Sequence, residues 1–90
     1  MSVKGEFLRI VGDGIACLRG VGTDPAEVLA ADLERARDAA SEDLPAAASR
    51  VVDLWSDGAP AMLGAGSATR DQLEDVGERM LAVSKVILGR

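Results

Sequence analysis

Apolar residues in this chain recur at every third or fourth position in four separate stretches. That spacing lines up side chains at about 100° per residue, so each stretch makes an amphipathic helix with one side to bury. In the first stretch, from about Val3, the residues Val3, Phe7, Leu8, Ile10, Val11, Ile15 and Leu18 share one half of the helical wheel, while Glu6, Arg9, Asp13 and Arg19 take the other. A β-hairpin over residues 6–19 is the rival reading, because Gly12-Asp13-Gly14 contains a hairpin dipeptide. Its flanks carry the apolar doublets Phe7-Leu8 and Ile10-Val11 instead of alternating, which favours the helix. Gly14 falls on the apolar side, where a missing side chain lets a second helix approach, and Gly12, Ala16 and Gly20 form a small-residue stripe beside it.

The second stretch opens with Asp24 as N-cap, Pro25 at the first helical position and Glu27 at capping-box spacing, and Leu29, Leu33, Ala36 and Ala40 share its buried face. Asp32 lies close to that face beside Val28, so its carboxylate needs a partner or a path to water. The third begins near Ser41 to Leu44, tolerates Pro45 in its first turn, lines up Leu44, Ala48, Val51 and Trp55, and stops at Asp57-Gly58. The fourth starts at Thr69 with Gln72 at capping-box spacing and carries the stripe Leu73, Val76, Met80, Val83 and Ile87, widened by Leu81 and Leu88. The spacing therefore predicts an all-α fold: a single domain over residues 1–90, a compact bundle of four helices at about 3–20, 25–40, 44–57 and 70–88. A Gly/Ala-rich loop precedes the last helix, and Met62 and Leu63 within it are expected to form a short helical turn on the core.

Histidine is absent, which removes the usual general base near neutral pH and the commonest zinc ligand. No other residue set makes a catalytic, cofactor-binding or metal-binding pattern. Asp71, Glu74, Asp75 and Glu78 crowd the start of the fourth helix, where they complement its positive N-terminus and read as a solvated face, or alternatively as an acidic docking face or weak cation site. Gly64-Ala65-Gly66-Ser67-Ala68-Thr69 lacks the Lys-Ser/Thr pair of a phosphate loop and reads as a linker. Cys17 sits at the edge of an apolar face and reads as a packed hydrophobe.

The net charge is −5 and the basic residues are scattered, so direct nucleic-acid binding and attraction to an anionic membrane are both disfavoured. No apolar run approaches a membrane span, and Glu6, Arg9 and Asp13 interrupt what a lipoprotein leader ending at Cys17 would need to keep uncharged. A lone cysteine fits a reducing cytoplasm, and Arg in eight of ten basic positions, with abundant Ala and Gly, suggests a bacterial source.

In size and acidity the chain is similar to acyl carrier proteins, whose Gly-x-Asp-Ser-Leu motif implies a phosphopantetheine carrier. The nearest stretch, Ser41-Glu42-Asp43-Leu44, lacks the Gly and displaces the Ser, and the long connection follows the third helix instead of the first. Trp55-Ser56-Asp57-Gly58 resembles the Trp-x-Gly turn of small secreted helical-hairpin proteins, but with one residue too many. Neither family is assigned. The expectation is a non-enzymatic protein-interaction module, an adaptor or assembly factor whose partner is another protein, itself as a homodimer, or both. Trp55, Met62, Leu63, Leu81 and Leu88 are the candidate contact residues. An acidic inhibitor that mimics nucleic acid on a basic protein is the alternative, followed by a carrier domain.

Overall fold

The computed structural model describes residues 2–89. The first stretch is one helix, α1 (Val3–Val21), and the hairpin is not formed. Phe7, Ile10, Val11, Gly14, Ile15 and Leu18 are all buried on its single inner side, which a strand could not achieve with apolar doublets. The Gly5 N–H donates to Ser2 Oγ at 3.0 Å to cap the start, and Gly22 ends the helix in the left-handed region at φ 78°.

Helix α2 spans Asp24–Ala39. Its N-cap is Thr23, not Asp24: the Ala26 N–H donates to Thr23 Oγ1 at 3.4 Å. The expected Asp24–Glu27 capping box is thus displaced, and both carboxylates lie in the first turn near the positive helix end. Helix α3 spans Leu44–Ser56 and is capped by Asp43, whose carboxylate accepts from the Ala46 N–H at 3.1 Å. Helix α4 (Ala59–Met62) is the expected turn on the core, although Ala61 is its buried residue and Leu63 lies just beyond it, 70% exposed. Helix α5 spans Ser67–Leu88, three residues longer at its start than expected. Gly66 in extended conformation leads into it without a side-chain cap, so Thr69 and Gln72 are interior residues and make no capping box.

The four long helices form a closed ring: α1 packs on α2 and α5, and α3 packs on the same two. The two-residue connection Gly22-Thr23 forces α1 and α2 to run antiparallel. α1 and α5 are also antiparallel, since Val3 lies beside Val86 while Gly14 lies against Val76 and Met80. The molecule measures 33 × 20 × 20 Å, its long dimension matching the 22 residues of α5 at about 1.5 Å each. No described helix is long and apolar enough to cross a membrane.

Small residues set the spacing of the ring. Met80 lies over Gly14, where a Cβ would come within 2.8 Å of Met80 Cε. The core between the helices holds Phe7, Leu18, Leu33, Val51, Leu73 and Met80, none of them measurably exposed. The α2 stripe of Leu29, Leu33, Ala36 and Ala40 is buried as its periodicity indicates.

One polar group interrupts this core. Ser84 is fully buried and its Oγ has no hydrogen-bond partner among the described residues. An unsatisfied buried hydroxyl costs about 1–3 kcal/mol of desolvation. Ser84→Ala is therefore expected to raise the unfolding free energy by roughly 1 kcal/mol in urea titration, with the m-value unchanged.

Candidate functional site

Trp55 is the core anchor of α3 and retains only 9% exposure. Its indole is seated on the bare backbone of Gly77 in α5: a Cβ there would collide with Nε1 and come within 2.6 Å of Cε2. This close approach leaves the indole as part of the floor of a groove between α3, α4 and α5, of about 560 Å³, together with Gly77, Met62 and Leu81. The rim is supplied by Asp71, Glu74, Asp75 and Glu78, spaced along one side of α5. Arg70 pairs with Glu74 at 3.9 Å and Arg79 with Asp75 at 3.3 Å, both well exposed, so these pairs add little stability.

The structure thus brings three of the five sequence-predicted contact residues, Trp55, Met62 and Leu81, into one groove. Leu63 ends α4 and is exposed, outside the lining of that groove. Leu88 lies at the far end of α5, partly buried against the core. Gly77 was not singled out from the sequence. Its signal was available, since it falls four residues after Leu73 and three before Met80, at a position of the buried stripe.

Two further depressions were also not foreseen. One, between α1 and α5, is lined by Val3, Ile10, Val83 and Val86 with Glu6, Arg9 and Arg79 at its edge. Val86 is 65% exposed there. The other lies between α2, α3 and α4 and includes Val28 and Asp32. Asp32, the unexplained carboxylate of α2, is half-buried and accepts from Arg35 Nη1 at 3.2 Å.

Other candidates carry less chemistry. Cys17 is a half-buried free thiol, and burial, followed by the nearby Asp13 charge, pushes its pKa up, which keeps thiolate scarce and the group a poor nucleophile. Among the described residues no three His, Cys, Asp or Glu side chains are placed to hold a metal ion. Ser41 donates its hydroxyl hydrogen to the Asp38 carbonyl in the turn after α2.

The glycine contacts set up an opposed pair of effects. Gly20 has open space around its Cα, so Gly20→Ala is expected to stabilise by about 0.5–1 kcal/mol through helix propensity. Gly77→Ala gains the same propensity but must displace the Trp55 indole, and a net loss of about 1–3 kcal/mol is expected, with a red-shifted Trp55 emission. Denaturant titration of both variants checks the signs. Comparison of the chain with protein-family models, with curated proteins and with solved structures found no match.

Proposed function

We propose that this chain is a small non-enzymatic protein-interaction module that associates with itself and offers an acidic, apolar-floored end to another protein. The observation that carries the reading is the groove floored by Trp55, Met62 and Leu81 and rimmed by four carboxylates of α5. Trp and Met are enriched in protein interfaces, and Met adapts to varied partners. The acidic rim of a chain with net charge −5 repels another copy of the same chain, so self-association is better placed on the α1–α5 face. There Val3 and Val86 are exposed, and Glu6 faces outward beside Arg9 and Arg79. A face carrying both signs can be self-complementary across a two-fold axis. The free thiol of Cys17 suits a reducing cytoplasm, and the Arg-rich, Ala- and Gly-rich composition suits a bacterial one.

A second reading, an acidic inhibitor occupying a basic nucleic-acid site, draws on the same rim of Asp71, Glu74, Asp75 and Glu78. The self-association part of the first reading is tested by itself, on the α1–α5 face. Light scattering on a gel-filtration column across a tenfold concentration range is expected to give a dimer that persists at high salt, because apolar contact screens little. Val86→Lys should return it to monomer with the helical circular dichroism intact. A monomer at every concentration, or a dimer indifferent to Val86→Lys, would remove the self-association reading from this face.

A further inference from the structure

An apolar depression lies where the start of α2, the end of α3 and α4 meet, with a lining distinct from that of the Trp55 groove and of the α1–α5 face. Its walls are Pro25, Val28, Leu54, Pro60 and Ala61, enclosing about 460 Å³. Val28 is 61% exposed, and it lies beside the apolar walls Pro25, Leu54 and Pro60 and not alone on the surface. Two of the walls are prolines at helix starts, where their fixed φ suits the first turn. Gly58 closes the base: a Cβ there would lie 2.9 Å from Leu29 Cδ2, so a larger residue would have to displace the end of the Leu29 side chain.

The charged residues lining the groove are Asp24, Asp32 and Asp57, all of one sign. Asp32 is offset by Arg35, but neither Asp24 nor Asp57 takes part in an ion pair among the described residues. An apolar floor with a uniformly negative edge fits an apolar side chain flanked by positive charge. We propose that this groove docks a basic segment of a different protein, with a Leu- or Met-like side chain against Val28, Leu54 and Ala61 and Lys or Arg side chains beside Asp24 and Asp57. A second copy of this chain is the poorer occupant, because it brings a net charge of −5 to an acidic edge. The groove is separate from the α1–α5 face, so failure here leaves the self-association reading standing.

The test uses the full chain, labelled with nitrogen-15, and a short acetylated and amidated peptide of lysine, arginine and leucine. Two control peptides carry glutamate for the basic residues or alanine for leucine. Amide shifts are expected to centre on Val28, Leu54 and the Asp57–Ala61 segment, with neither control peptide binding comparably. Val28→Ser and Asp57→Asn should each weaken binding about tenfold, as loss of an interface anchor or a flanking charge does. Asp13→Asn combined with Glu42→Gln removes more charge at exposed residues that line none of these grooves and should change affinity less than about twofold if site geometry and not net charge decides. Circular dichroism of each variant guards against misfolding. The proposal is overturned by absence of binding, by shifts centred on Trp55 and Leu81, or by equal binding of the leucine-free peptide. It is also overturned if Asp13→Asn with Glu42→Gln weakens binding as much as Asp57→Asn, or if Val28→Ser dissolves a dimer that the peptide leaves intact, which would make a second copy the occupant.

Discussion

The contact between the Trp55 indole and the backbone of Gly77 sets the distance between α3 and α5, and the other surfaces follow from it. A chain with one Trp, one Phe and no Tyr has few large side chains with which to fill a bundle. Burying an indole removes about 150–250 Å² from water, worth at most about 4–6 kcal/mol at 25 cal/mol per Å². The glycine that permits it costs about 1 kcal/mol of helix propensity. Gly14 of α1 makes a softer version of this contact on the other side of α5, where the flexible end of Met80 occupies the space of the missing side chain. α5 is therefore held from two directions at glycine contacts, and its remaining sides carry the groove rim and the exposed Val86.

The helices were legible because the apolar spacing was regular. Phe7, Ile10, Val11, Ile15 and Leu18 outweighed a local hairpin signal at Asp13-Gly14, and burial shows why: as a helix they all face one way. Caps were less legible because neighbouring residues compete for the same role. Thr23 and Asp24 are both good N-caps, and Pro25 is accepted at either of the first two helical positions, so spacing alone does not choose between them. The start of α5 was misplaced for a related reason. Its first amides are solvent-exposed at Ser67 and Ala68 and have no need of Thr69 as a side-chain cap.

The surface features were the least legible, because they are products of the fold. Along the chain the cluster Asp71, Glu74, Asp75 and Glu78 is visible, but Asp24 and Asp57 lie far from it and from each other. In the antiparallel ring the start of α2, the end of α3 and the start of α5 meet at the end that carries α4, and this gathers Asp24, Asp57, Asp71 and Glu74 about two apolar depressions. Val28 lies off the buried stripe of α2, so its position gave no reason to notice it until Leu54 and Pro60 were placed beside it. Trp55, Met62 and Leu81, by contrast, could be named in advance from residue type, although only the Gly77 contact explains why the indole forms part of a groove floor and is not a protruding side chain.

The Trp55–Gly77 contact can be read directly from a nuclear Overhauser spectrum of the full chain, since Trp55 is the single indole and its ring protons are unambiguous. Strong cross-peaks from the indole Hε1 and Hζ2 to the Gly77 Hα protons are expected, with those Hα resonances displaced by the ring current. An indole that shows no cross-peak to Gly77 would contradict this seating of α3 on α5, and the groove floored by Trp55, Met62 and Leu81 would fall with it.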